Sequence, residues 1–295
     1  MTVPRETGAI HDIGYRRYEG PRLGVPYIAR SLTVHSLKGA FGLGRATRSK
    51  VMPFLLLAAM VVPAFVIALV VVLGGADELP LEYTSYAVRL GAVVTIFVAA
   101  QSPQSVSRDL RFRLVALYFA RPISRTTYVQ TKLVAMSLAL FGFLTAPLLV
   151  LYVGALLGEL DVLDNTLGFL KGVAGAAMFA VVLASVGLTI AAWTPRRGIG
   201  VAAIVTVLTL LGGISAIISG IANDQDHETL AGWAGLISPT AIVDGVQVWL
   251  LNSSTSLVTG PPGEAGGPVF ALAAVVLVAG CYLLLVRRYR AVTDS

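Results

Sequence analysis

Between Ser107 and Lys132 the stretch SRDLRFRLVALYFARPISRTTYVQTK places six basic residues and one acid in a chain that is 56% apolar and only 13% charged. Few other residues are placed for chemistry. A phosphate-cradling nucleotide loop needs a lysine directly after glycine, and none of Lys38, Lys50, Lys132 and Lys171 follows one. His11, His35 and His227 have no Cys or His partner at ligand spacing, so no metal site is expected. Cys281 is the single cysteine, which rules out an intramolecular disulfide. The apolar runs contain neither paired acids nor a Ser and His at depth, so the chain is not expected to be an enzyme by itself. Arg89 is the one ionisable residue placed inside an apolar run, where it can snorkel to the interface or pair with Glu82. The remaining polarity of the runs is hydroxyl and amide: Thr95, Gln101, Thr206, Thr209, Ser215 and Ser219.

The basic stretch has an internal pattern. On a helical projection Leu110, Leu114, Leu117 and Tyr118 make one apolar stripe, and Phe112, Val115 and Phe119 a second. Arg108, Asp109, Arg111 and Arg113 lie between and around them, with Asp109 and Arg113 spaced for an i,i+4 pair. Two stripes imply two neighbours, one being the protein's own spans and the other a partner. Pro122 ends this helix and biases Arg121 away from helical geometry. Ser124 then caps a second helix that runs past Arg125, Tyr128 and Lys132 into the next apolar run. A short bent helix joined rigidly to a long apolar one can transmit force.

The elements that must hold this connector follow from hydropathy. A hydrocarbon core of roughly 30 Å needs about 20 residues of helix, and six runs approach that length: 51–73, 83–102, 133–157, 172–193, 198–222 and 269–286. The expected fold is an all-α polytopic membrane protein. Residues 1–50 form a lead and 51–295 the transmembrane domain. The 22 basic residues fall as nine before the first run, six between the second and third, two between the fourth and fifth and three after the sixth. Eleven of the 16 acids sit in the alternate loops. By the positive-inside rule both termini are cytoplasmic, so the net charge of +6 expresses topology, with no nucleic-acid binding expected. The first 50 residues lack the apolar core of a cleavable signal, so the first span is expected to act as its own insertion signal.

Two amphipathic segments complete the pattern. YIARSLTVHSLKGAFGLGRATRSK mixes Leu32, Val34, Leu37, Phe41 and Leu43 with Arg30, Lys38, Arg45 and Arg48, as an interfacial helix does. Before the sixth run, SPTAIVDGVQVWLLN predicts a short external helix capped by Ser238 with Pro239 in its first turn. Ile242, Val243, Val246, Trp249 and Leu250 share one face, opposite Thr240, Asp244 and Gln247. Small residues recur in and beside the runs, among them Gly154, Gly158, Gly212, Gly213 and Gly220, and suit close helix packing.

Six spans, a basic amphipathic lead and LYFARPISRTTYVQTK before the third span resemble the permease subunit of bacterial ABC-2 type transporters. IHDIGYRRYEGPRLG resembles the start of a subset of these permeases from GC-rich bacteria, which 18 Arg against four Lys also fits. The resemblance covers essentially the whole chain. It implies a multi-pass protein of the bacterial plasma membrane, a coupling helix over Asp109 to Phe119, and a motif-matching exit formed by Arg121, Pro122, Ser124, Arg125, Tyr128 and Lys132. Within the helix, Asp109, Leu110, Arg111, Arg113, Leu114, Leu117 and Tyr118 would be the residues that couple the chain to the ATPase. The family often has Glu where this chain has Asp109.

The resemblance further implies a second permease subunit, identical or homologous, and a cytoplasmic ABC ATPase dimer that binds the ATP and Mg absent from this chain. Cargo movement, most naturally export of an amphipathic, drug-like or lipid-like substrate, would pass positions such as Thr95, Gln101, Thr206, Thr209 and Gly213. One alternative is a membrane subunit that transmits ATP-driven motion to an extracytoplasmic partner or maturation system. The other is a channel or secondary transporter.

Overall fold

The computed structural model describes residues 20, 23–76, 78–107, 109, 123–194 and 196–293. The expected coupling helix falls on 109–119, so all of it except Asp109 lies outside the described residues, as do Arg121 and Pro122.

Among the described residues every regular element is a helix. They run α1 Val25–Ala40, α2 Arg48–Gly74, α3 Tyr86–Arg89, α4 Gly91–Ser105, α5 Arg125–Leu157, α6 Val162–Trp193, α7 Arg197–Asp224, α8 Glu228–Trp233, a 3₁₀ turn Ala234–Ile237, α9 Pro239–Leu251 and α10 Gly263–Thr293. Five of them, α2, α5, α6, α7 and α10, are long and apolar enough to cross a membrane.

The second expected span takes a different form. It is split into the single turn of α3 and the 15-residue α4, with Leu90 at the break (φ −98°, ψ 25°). Arg89 ends α3 exposed and forms no ion pair with Glu82, which instead accepts hydrogen bonds from the Thr84 hydroxyl (3.2 Å) and the Ser254 N–H (3.1 Å). From Phe97 to Pro103 α4 is buried, packed against α6 and α7, with Phe97 stacked on Phe143 at 4.1 Å between ring centroids.

The antiparallel pair α5–α6 forms the centre. Asp161 caps α6 by accepting from the Asp164 N–H at 2.8 Å, so that helix starts ten residues before the expected apolar boundary at 172. Against this pair pack α2 on α5, α10 on α6 and α9, and α4 on α6 and α7. The core joins Met60, Phe97, Tyr128, Leu140, Phe143, Leu151, Phe179 and Tyr289. Gly154 lets α2 approach α5 closely: a Cβ there would stand 2.3 Å from Ala68 Cβ. The outer surfaces of α2 and α7 are apolar, with Leu55, Phe65, Leu210 and Ile217 all more than half exposed. A water-soluble protein would not present so continuous an apolar belt.

The lead contains an amphipathic helix, as expected, but it stops at Ala40, and a turn through Gly42 and Gly44 separates it from α2. It lies on α5 and α4. The helix expected before the last span is α9, with Pro239 at its start. Its polar positions are not on a solvent face: Asp244 and Gln247 are as buried as Ile242 and Val243. Asp244 accepts from the Thr255 hydroxyl (2.8 Å) and the Ser256 N–H (3.3 Å), tying the following loop back onto the helix. Burial pushes its carboxyl above the ordinary range, against the opposing effect of those hydrogen bonds.

Candidate functional site

The connector meets the bundle where α5 begins. Ser124 is the N-cap, in extended backbone, and its hydroxyl accepts from the Thr127 N–H at 3.1 Å. Helical spacing then puts Tyr128 and Lys132, four residues apart, on the same face and pointing inward. Both are buried, Lys132 to 7% exposure. An ammonium at the start of an apolar helix needs a counter-charge, and Asp109 supplies it.

The Asp109 carboxylate accepts from Lys132 Nζ at 2.8 Å and from the Tyr128 hydroxyl at 2.6 Å, both on Oδ2. Lys132 also donates to the Ser105 carbonyl at the end of α4 (3.0 Å), where a cation complements the helix dipole. Its Nζ lies 5.5 Å from the centre of the Tyr128 ring. The Tyr289 ring of α10 closes the far side, 5.1 Å from that of Tyr128. Asp109, at the head of the connector, is thereby fixed to α5 directly and to α4 through Lys132 by charge-assisted hydrogen bonds, while α10 joins the cluster through the packing of the Tyr289 ring on Tyr128.

Neighbouring contacts stiffen the same end. The Ser107 hydroxyl donates to the Ala191 carbonyl (2.9 Å), Arg288 Nε to the Ala192 carbonyl (3.3 Å), and Gln130 Nε2 to the Tyr282 hydroxyl (3.2 Å). Each ties elements that are distant in sequence.

The i,i+4 spacing suggested Arg113 as the partner of Asp109. Arg113 lies outside the described residues, and the ion pair found is with Lys132, 23 positions on. Tyr289 was missed altogether. The usable signal was Lys132 itself, since a lysine at the start of a long apolar run either snorkels to the interface or pairs with an acid, and Asp109 is the one acid in the basic stretch before it. Of the exit residues, Tyr128 and Lys132 enter the cluster, Ser124 caps the helix, and Arg125 follows it at the surface end of α5. Leu110, Arg111, Leu114, Leu117 and Tyr118 lie outside the described residues with Arg113.

The positions suggested for a cargo path are dispersed. Gln101 is buried and lines a polar pocket of about 150 Å³ beside the cluster, with His35, Arg45, Gln104, Asp109 and Lys132. Thr95 is half-buried on α4, while Thr206, Thr209 and Gly213 lie on the exposed face of α7. Two further concavities stand out. An apolar groove of about 710 Å³ runs between α5, α6, α9 and α10, lined by Leu133, Val181, Val243, Val275 and Tyr282. At the opposite, acidic end a pocket of about 370 Å³ is lined by Glu78, Glu82, Asp161, Asp164 and Lys171. Among the described residues no group of three or more His, Cys, Asp or Glu is placed to hold a metal ion.

These features define a multi-pass helical membrane protein with a buried polar joint at its basic end. Comparison with protein-family models finds no match, and neither does comparison with curated proteins.

Proposed function

We propose that the chain is the permease subunit of an ABC-2 type exporter, driven by ATP hydrolysis in a separate ATPase dimer. The observation that carries this reading is the buried joint of Asp109, Tyr128 and Lys132. A connector anchored by a salt bridge moves its attached helix with it, whereas a loosely tethered loop would absorb the displacement. Force received by the basic stretch from an ATPase would pass through Asp109 into α5 and, by way of Tyr289, into α10.

In this reading α3 and α4 together make the sixth crossing. Their 20 residues from Tyr86 to Ser105 reach about 30 Å at helical rise, enough for one hydrocarbon core. Both termini are cytoplasmic, because Arg48, Lys132, Arg196 and Arg288 gather at one end and Asp161, Asp164 and Glu228 at the other. Two copies of the chain, or one with a homologue, would form the permease. The apolar groove between α5, α6, α9 and α10 supports an amphipathic or lipid-like cargo.

A second reading, in which the motion serves an extracytoplasmic partner, is favoured by the charged pocket at the acidic end, which offers a polar surface where such a partner would dock.

Two experiments test the proposal. Reversing charge at Arg111 and Arg113 should lower co-purification of an ABC ATPase, identified by its peptides, at least about tenfold, as expected for losing charged contacts. The variant should still insert in the membrane. Unchanged co-purification and unchanged ATP turnover would remove the coupling assignment. With Cys281 replaced by alanine, a cysteine at Asp161 is expected to react with an impermeant maleimide from outside, and one at Arg196 only after permeabilisation. The reverse pattern would invert the topology.

A further inference from the structure

The apolar groove between α5, α6, α9 and α10 has one polar end. Its walls are alanine, valine, leucine and methionine except for Tyr282, the only lining residue with a polar side chain. The Tyr282 hydroxyl accepts from Gln130 Nε2 at 3.2 Å, and its own proton has no acceptor among the described residues. Gln130 stands two residues before Lys132, so this hydroxyl lies at the basic end of the bundle. From there the groove follows α10 along Val278, Val275 and Ala274 to Ala271. The stretch from Tyr282 back to Ala271 is about 17 Å at helical rise, close to half of a hydrocarbon core of roughly 30 Å.

That depth and that lining fix the chemistry of an occupant. Three of the four walls belong to helices long and apolar enough to cross a membrane, and Val275 on the α10 wall is 65% exposed. The groove therefore meets lipid chains. An acyl chain entering it leaves one apolar medium for another, so selectivity falls to the polar end. There a phenolic O–H without an acceptor calls for a carbonyl oxygen. No cation lines the groove to hold a phosphate or carboxylate. A second transmembrane helix has its backbone carbonyls engaged within itself and offers no such acceptor. An ester carbonyl at the head of an acyl chain supplies the acceptor and the apolar length in the order in which the groove receives them.

We propose that this groove binds one acyl chain of an ester-linked glycerolipid drawn from the leaflet at the basic end, with the ester carbonyl accepting from the Tyr282 hydroxyl. The proposal deepens the lipid-like reading of the groove and rests on it. Binding needs no nucleotide and is measured without an ATPase, so its failure leaves the coupling assignment standing.

The test reconstitutes the purified full chain in nanodiscs containing equal amounts of diacyl phosphatidylcholine and its dialkyl ether analogue of the same chain length, which differ only at the ester carbonyls. Retained lipid is identified by native mass spectrometry. The native chain is expected to retain the ester lipid about fivefold over the ether, the scale of one neutral hydrogen bond. Tyr282→Phe keeps the ring and should bring the ratio near one. Gln130 is exposed, so water replaces the acceptor that it loses in this variant. Ala274→Phe fills the groove and should remove the retained lipid of both kinds. Val276→Phe, on the exposed side of α10 outside the groove, should change neither quantity. Thermal midpoints of the same samples separate lost binding from lost folding. Equal retention of the two lipids by the native chain would overturn the proposal, as would an unchanged ratio in Tyr282→Phe or an equal loss of lipid in Val276→Phe. A second copy as occupant is tested with Val275→Cys in the Cys281→Ala chain: a disulfide-linked dimer on oxidation in membranes would overturn the proposal, and a monomer supports it.

Discussion

Asp109→Ala is expected to destabilise the protein by about 3–5 kcal/mol, the cost of leaving one partner of a buried ion pair without the other. Lys132 lies 2.8 Å from the Asp109 carboxylate and is almost wholly enclosed, so water cannot replace the lost charge. Lys132→Met alone should cost a similar amount, because among the described residues the carboxylate then keeps the Tyr128 hydroxyl and no cation. The double variant Asp109→Ala, Lys132→Met removes both charges and should recover at least half of the loss. Tyr128→Phe should cost about 1.5–3 kcal/mol, the scale of a hydrogen bond to a charged group. Thermal or denaturant midpoints in detergent complete the cycle. Additive single losses in the double variant would show that the pair does not act as a unit. If the joint carries force, the double variant should regain stability without regaining ATP-coupled activity.

Gly154→Val is expected to force α2 away from α5. The first side-chain carbon would overlap Ala68 Cβ at 2.3 Å and crowd Ala68 Cα at 2.9 Å, and part of this obstruction is backbone that cannot rotate aside. Overpacking of this kind costs about 1–3 kcal/mol and sometimes more. Gly213→Ala and Gly220→Ala meet nothing within 4 Å and should be neutral or slightly stabilising, since alanine favours helix over glycine by about 1 kcal/mol. Midpoints of the three variants decide it. A Gly154→Val protein as stable as the native chain would mean that α2 and α5 are not held in contact. The contrast also separates glycines that permit helix contact from those that do not touch another helix.

How far the sequence foretold this architecture depended on the range of each interaction. Runs of about 20 apolar residues identify their own helices, so α2, α5, α6, α7 and α10 were legible, and the Ser124 cap placed the start of α5 correctly. The extension of α6 back to Val162 runs through Asp164, Asn165, Thr166 and Lys171 among its apolar residues, behind the Asp161 cap, and these polar positions lower the local hydropathy. The α3–α4 break was foreshadowed by Arg89, but its form depends on packing against α6 and α7. Helical projection sets Asp244 and Gln247 opposite the apolar face of α9, but it reports sidedness and not what the other side meets, so their burial was not legible. The Asp109–Lys132 pair joins positions 23 apart across a helix boundary, so only folding brings it together, and the nearer Arg113 was the natural local choice.

The joint also has an order of assembly written into it. Asp109 emerges from the ribosome first, Lys132 and Tyr128 only as α5 is made, and the Tyr289 ring that encloses them arrives with the last helix. Until that final segment is integrated, one flank of the charged pair lacks its aromatic cover, so the earlier helices complete their packing only when biogenesis reaches the distal end of the polypeptide.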